Sequence, residues 1–258
     1  MLPKPLISLF YRTCQGMGDA VLPRRCVACH AGIKNPHANQ LARFACDTCI
    51  SLLEGMPNVR CRSCGLTLGP RPQAFGWTHC RHCKPKEEDN SDQQTDCVVC
   101  CDYTAPFDQW IAQLKYGKAH GLAAFMGTWL GLGTQNAEYA LPDLLIPVPG
   151  SREKLKQRGY NQAALIAKHA GQHIQRPVYT DWLVKTGEAR AQAELGRGER
   201  LRNLQGLFQA TRPIPAGLRI GLVDDVITTG ATLQSCEAAL LKAGAKSILL
   251  MAVCRTPE

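Results

Sequence analysis

Aromatic residues make up only 6% of this 258-residue chain. At least one part must therefore be held by something other than a large aromatic core. No apolar run reaches the roughly 18–20 residues of a membrane-spanning helix. The longest candidate, residues 122–132, is short and contains Gly127, Thr128 and Gly131, so no membrane span is expected. The amino terminus has Pro3 and Pro5, a short apolar patch and no small-residue cleavage site, which does not match a secretory signal. These absences point to the cytoplasm, a reducing compartment where paired cysteines more often hold metal than form disulfides. Acidic residues are scarce at one end, with 3 against 10 basic ones in residues 1–83.

What remains is ordinary globular composition. Hydrophobic residues are 45% and charged residues 20%, which excludes a disordered or collagen-like chain. The length suits two small domains. The net charge of +9 divides unevenly, +7 over residues 1–83, −3 over 84–96 and +5 over 97–258. A basic amino-terminal part suits an anionic partner, nucleic acid being the commonest; a basic balance that only aids solubility is the plainer alternative. Two tetrathiolate metal sites would each add −2 and leave that part at about +3.

The cysteines are the anomaly, with 12 of the 14 in the first 101 residues. Cys26 and Cys29 precede Cys46 and Cys49 by a gap of 16 residues, and Cys61 and Cys64 precede Cys80 and Cys83 by 15. A two-residue gap lets one turn place two sulfurs on one ion, and two such knuckles complete a tetrahedron at about 2.3 Å. This is the spacing of two successive zinc ribbons, repeated by internal duplication. Four thiolates leave no open position, so both sites are expected to be structural zinc rather than iron, an iron–sulfur cluster or a redox disulfide. Sequential pairing is the simpler arrangement; Cys46 and Cys49 with Cys61 and Cys64 is chemically possible. His30, His79 and His82 beside them read as surface residues. Cys97, Cys100, Cys101, Cys236 and Cys254 read as buried thiols. These spacings predict a ribbon domain over 20–85, a polar linker over 86–96 and a second domain over 97–258.

From about residue 102 helix and strand signals alternate. Phe107, Trp110, Ile111 and Leu114 recur at helical spacing, and helices are expected over 122–132, 162–174 and 232–243. Apolar runs at 143–148, 219–223 and 247–253 suit buried strands. The pattern predicts an α/β domain, a parallel sheet with helices on both faces.

Residues 223–232 read VDDVITTGAT. A buried strand delivers Asp224 and Asp225, and a threonine-glycine turn then opens a helix, the place where open parallel sheets bind ligands. Amides and hydroxyls of Thr228, Thr229, Gly230, Ala231 and Thr232, with a positive helix end behind them, suit a phosphate monoester. The two carboxylates suit ribose hydroxyls or a hydrated magnesium. Together they describe a pocket for ribose 5-phosphate. Arg152, Lys154, Lys156 and Arg158 follow a Pro147–Pro149 loop, where they can meet pyrophosphate or a nucleic-acid backbone; a solvated helix end is the alternative.

Residues 224–232 resemble the PRPP (5-phosphoribosyl-1-pyrophosphate) motif of type I phosphoribosyltransferases. With Leu114-Lys115-Tyr116, Ile146 to Pro149, Arg158 to Gln162, Gln192 to Phe208, Val253 to Thr256 and the double ribbon, nearly the whole chain is similar to the ComF family and its GntX-type members. The resemblance implies a type I phosphoribosyltransferase-like domain behind a small zinc-ribbon domain, and a part in taking up or using extracellular DNA. It implies that Pro147, Val148, Pro149 and Gly150 form the pyrophosphate loop, that Asp224 and Asp225 hold ribose and magnesium, and that Thr228 to Thr232 hold the 5-phosphate. It also implies a mobile hood at 185–205. Purine-salvage relatives carry an acid where this chain has Thr228, so that purine transfer is not expected. Three readings follow. The first is a DNA-uptake accessory protein binding PRPP with Mg, single-stranded DNA and a helicase partner. The second is an active transferase with an unidentified nitrogen acceptor, in which Arg158 or Arg200 steadies the departing pyrophosphate. The third is a zinc-ribbon interaction module with a relic domain.

Overall fold

The computed structural model describes residues 24–56, 59–70, 74–83, 95–117, 119–187 and 206–257. Packing divides the chain into two compact units, Met1–Gly55 and Met56–Glu258. The first cysteine cluster belongs to the smaller unit, and the second shares the larger unit with the sheet. The boundary drawn by packing thus lies before the second ribbon, whereas the composition change that suggested a boundary lies after it. Of the expected linker, only Thr95 and Asp96 are among the described residues.

The smaller unit is built on small side chains. Among its described residues, helix α1, Asp47–Glu54, buries Cys49 and Leu53, and Cys26, Ala28, Leu41, Ala42 and Ala45 are buried as well. Such a core removes little apolar surface from water, and a metal staple supplies what it lacks. The duplication seen in the cysteine spacing recurs in the backbone. Cys26 N donates to Ala31 O at 2.7 Å, and Cys61 N donates to Leu66 O at 2.7 Å. His30 N donates to Cys26 O at 2.9 Å, and Gly65 N donates to Cys61 O at 2.9 Å. His30 and Gly65 both take positive φ, 62° and 71°, at the same step of each knuckle.

In the larger unit, strands β1 (Asp96–Asp102), β2 (Leu144–Pro147), β5 (Arg219–Ile227) and β6 (Ser247–Arg255) form one sheet in the order β1-β6-β5-β2, every pair parallel. The central strands β5 and β6 carry continuous apolar runs because both of their faces are covered. A short antiparallel pair, β3 (Leu183–Lys185) and β4 (Phe208–Ala210), lies apart from it. The other helices among the described residues include α2 (Phe107–Tyr116), α3 (His120–Asn136), α4 (Arg152–Arg158), α5 (Gln162–Ile174) and α6 (Ala231–Lys242). Helix α2 buries the expected Phe107, Trp110, Ile111 and Leu114.

Helices α3 and α5 pack closely because glycines stand between them. A Cβ on Gly127 would lie 2.5 Å from Ile166 O, and one on Gly131 would lie 2.8 Å from His173 Cβ. The other sheet face is covered by α6 and the β3–β4 pair, where Ile220 and Leu222 meet Leu233, Cys236, Leu240, Leu183 and Phe208. The second ribbon is seated at the β1 edge. Arg60 Nη1 lies 2.8 Å from Asp102 Oδ1, Thr67 Oγ1 donates to the same carboxylate at 2.8 Å, and a Cβ on Gly65 would lie 2.3 Å from Val99 Cγ2. Among the described residues no helix is long and apolar enough to cross a membrane.

Candidate functional site

Each cysteine cluster gathers four sulfurs within 4.8 Å of one another, Cys26, Cys29, Cys46 and Cys49 in one and Cys61, Cys64, Cys80 and Cys83 in the other. The Cys29 and Cys46 sulfurs are 3.5 Å apart, and those of Cys64 and Cys80 are 3.7 Å apart. A tetrahedron with bonds of about 2.3 Å has edges of about 3.8 Å, so both sets fit a zinc ion. The pairing is the sequential one. His30 and His82 are exposed, and no histidine belongs to either set of sulfurs. Cys97, Cys101, Cys236 and Cys254 are buried and Cys100 is partly buried.

The turn after β5 lies at the carboxyl edge of the sheet. Gly230 closes it at φ 79° and caps α6, a left-handed conformation that glycine adopts without strain. The carbonyls of Ile227 and Thr228 are turned toward Arg255, whose Nη1 donates to both. Among the described residues no protein acceptor takes the amides of Thr229 and Gly230. Ala231 N meets Thr229 Oγ1 only at 3.4 Å. The first-turn amides of a helix have no intrahelical partner, and the helix dipole adds positive potential there. The turn therefore leaves the Thr229 and Gly230 amides without a protein acceptor among the described residues, at a helix N-terminus of the kind that suits an anion.

Strand β5 continues through both acids to Ile227 instead of ending at 223. Alternation along the strand sends Asp224 to the face of Ile220 and Leu222, where its charge reaches Cys236, and Asp225 to the opposite face. There Lys115, at the end of α2, places Nζ 2.7 Å from Asp225 Oδ2. Burial would lower the Lys115 ammonium, but the Asp225 carboxylate outweighs it and the lysine stands above its ordinary value. Asp224 accepts from the Asp225 amide at 2.8 Å. Burial first, and then the neighbouring Asp225 charge, push its carboxyl well above the usual range. A cation or hydroxylated ligand at this point would relieve that cost.

The loop at 147–150 reaches the same edge. Pro147 pairs with Val223 in register, Val148 N donates to Val223 O at 2.8 Å, and Asn161 Nδ2 donates to Val148 O at 2.9 Å. Pro149 and Gly150 lead into Ser151, whose Oγ caps α4 by accepting from Lys154 N. The four cations of α4 separate. Arg152, Lys154 and Lys156 are exposed, and helical spacing keeps Lys154 off the face shared by Arg152 and Lys156. Arg158 turns back, 5.1 Å over the Tyr116 ring and 3.2 Å from Gln162 Oε1. Tyr160 OH donates to Leu114 O. The 114–116 and 158–162 segments are thereby joined beside the acids. Arg200 and most of the 185–205 segment lie outside the described residues.

Two residues of this site had no assigned role from the sequence. Lys115 gave only a motif resemblance, and its partner is remote in the chain. Arg255 gave a resemblance at the end of a strand, with nothing to mark it as a donor to the turn.

No family model matches the chain. Among solved structures it is similar to a glutamine PRPP amidotransferase from Bacillus subtilis, with 21% identity, 51% of this chain and 26% of that one covered, and a TM-score of 0.36. It is also similar to a purine phosphoribosyltransferase from Pyrococcus horikoshii, with 18% identity, 60% and 74% covered, and a TM-score of 0.28. Among proteins, it is 27% identical to competence protein F of Haemophilus influenzae over 239 residues, covering 90% of this chain and 96% of that one. It is 28% identical to competence protein ComFC of Bacillus subtilis over 207 residues, covering 77% and 78%. It is 30% identical to DNA utilization protein YhgH of Escherichia coli K12 over 167 residues, covering 62% of this chain and 71% of that one. With that identity over that share of the relative, the chain belongs to the ComF family of DNA utilization and competence proteins.

Proposed function

We propose that this protein is an accessory to the uptake or use of extracellular DNA that binds PRPP with Mg and single-stranded DNA. The observation that carries the phosphoribosyl reading is the turn after β5, where Arg255 holds the Ile227 and Thr228 carbonyls while the Thr229 and Gly230 amides have no protein acceptor among the described residues. In this reading Thr228, Thr229, Gly230, Ala231 and Thr232 hold the 5-phosphate, Asp224 and Asp225 take the ribose hydroxyls and Mg, and Pro147 to Gly150 border the pyrophosphate. Carboxylate oxygens are the hard donors that magnesium takes, and the ion would neutralise pyrophosphate charge. Arg152, Lys154 and Lys156, exposed on α4, are the DNA contacts, and a DNA-uptake helicase is the protein partner. Isothermal titration of PRPP with and without Mg²⁺ tests the site. Binding that needs Mg²⁺ and weakens at least tenfold in Asp225→Asn is expected; no binding under either condition overturns the reading.

Turnover is the second reading, favoured by the cations beside the acids. Lys115, paired with Asp225, and Arg158, over the Tyr116 ring, would supply positive charge to a departing pyrophosphate in this reading. A nitrogen acceptor would bond to the ribose C1 as the C1–oxygen bond breaks, the acceptor proton going to solvent. Pyrophosphate release that requires an added nucleobase, amine or ammonia is the expected signature. Failure across all of them leaves binding alone.

A further inference from the structure

Arg255, the last residue of β6, is 4% exposed and donates in two directions. Its Nη1 donates to the carbonyls of Ile227 at 3.2 Å, Thr228, and Thr256 at 2.9 Å. Its Nε donates to Cys64 O at 3.1 Å. Cys64 is one of the four thiols of the second metal cluster. One buried guanidinium therefore joins the backbone of a metal knuckle to the backbone of the anion-binding turn.

We infer that Arg255 is a positioning residue through which the second metal cluster holds the phosphate-binding turn in its open-amide form. The inference rests on reading that turn as the phosphoribosyl site. At one end, the guanidinium holds the carbonyls of Ile227 and Thr228, and because a trans peptide sets its N–H opposite its C=O, the Thr228 and Thr229 amides of those two units point the other way. A charged donor shared among several carbonyls is strong, and its removal takes from Thr228 O its donor among the described residues, while Ile227 O keeps Thr256 N at 2.9 Å. At the other end, the Cys64 carbonyl is held by the knuckle. Gly65 N donates to Cys61 O at 2.9 Å, and Arg60 Nη1 donates to Gly65 O at 3.1 Å while pairing with Asp102. Four thiolates within 4.8 Å repel one another unless a cation sits among them. Loss of zinc therefore loosens the Cys61–Cys64 turn and one of Arg255's four acceptors with it. The ribbon duplication has in this way given one copy to the smaller unit and made the other a support of the binding edge.

The test is amide hydrogen exchange over residues 226–233 of the full chain, with PRPP titration and zinc stoichiometry measured alongside. Arg255→Met is expected to keep two zinc ions, to speed exchange in the turn about tenfold and to weaken PRPP by a similar factor. Arg255→Lys retains part of both. Zinc removal by chelation produces the same change in the wild-type turn and adds nothing in Arg255→Met. Cys49→Ser, which empties only the first cluster, leaves the turn unchanged. Additive effects of chelation and Arg255→Met overturn the inference, as does turn exchange indifferent to zinc. Loss of protection throughout β1, β5 and β6 on chelation overturns it too, because the metal would then hold the whole fold. If Arg255→Met does not fold, the wild-type chelation arm and Arg255→Lys decide. A wild-type protein that binds no PRPP sinks the phosphoribosyl reading, while the exchange arm still decides the coupling.

Discussion

Lys115 and Asp225 form an ion pair at 2.7 Å that ties the end of α2 to the carboxyl end of β5. Both side chains are largely shielded, 22% and 6% exposed, so each needs the other. Removing one partner of a buried pair leaves an uncompensated charge.

Lys115→Met is accordingly expected to cost about 3 kcal/mol at pH 7. The folded lysine titrates above its ordinary 10.5. Its contribution is therefore complete below that pH and fades only as pH rises through the higher folded value. Urea denaturation of both proteins at pH 7, 9 and 11 measures this. A difference already gone at pH 9 would contradict the pairing.

Asp224→Asn should stabilise the chain while weakening PRPP. The Asp224 carboxyl stands well above its ordinary 3.8 in the folded protein, so the folded state keeps a proton that the unfolded state has released. Stability then falls as pH rises above about 3.8 toward the folded value. Asparagine escapes that cost, and a gain of about 1 kcal/mol is expected at pH 7, vanishing near pH 4. Thermal melts across that range provide the check.

The two clusters should behave differently under mutation. Cys49→Ser should bring zinc from two ions to one and leave the melting of the larger unit unchanged, since the first cluster belongs to the smaller unit. Cys61→Ser should also lose one ion but lower the melting temperature of the larger unit, because that knuckle is joined to Asp102 and Arg255. Equal effects would argue against the division of the chain.

Gly127→Ala should cost about 2 kcal/mol despite alanine's better helix propensity. The added methyl would stand 2.5 Å from Ile166 O and 2.7 Å from His169 Cβ, forcing α3 away from α5. Denaturant melts that move by less than about 0.5 kcal/mol would show that the helices separate freely.

Replacing Arg152, Lys154 and Lys156 together by glutamine should reduce the salt dependence of single-stranded DNA affinity. Each phosphate neutralised contributes about 0.7 to the slope of log affinity against log salt, so a drop of about 2 is expected. Retention of the full slope would move the DNA contact elsewhere on the protein.

Much of this was legible along the chain because it depends on neighbours in sequence. The cysteine spacing carries the two tetrahedral sets, since a knuckle is a local turn and its bite is set by two intervening residues. The helix over 162–174 follows from apolar periodicity, and Gly230 marks the turn because a positive φ is a property of one residue. Strand ends were less legible. Strand β5 runs on through Asp224 and Asp225 because β6 pairs with it as far as Ile227, opposite Arg255, and pairing is not encoded in either strand alone. The boundary between units was hidden for the same reason. Composition changes after residue 85, yet Arg60 and Thr67 spend their donors on Asp102 and bind the second ribbon to the sheet.

From its sequence alone this protein is two four-cysteine clusters spaced for metal and an α/β domain with an acid pair ahead of a threonine-glycine turn. Those features rest on local stereochemistry and periodicity, which act over a few residues. Only the tertiary structure decided that Lys115 faces Asp225, that the two acids lie on opposite sides of a strand, and that Arg255 spans the turn and a metal knuckle. Each of these is a meeting of groups far apart in the chain, created when the sheet closes and a buried charge must find a partner to remain buried.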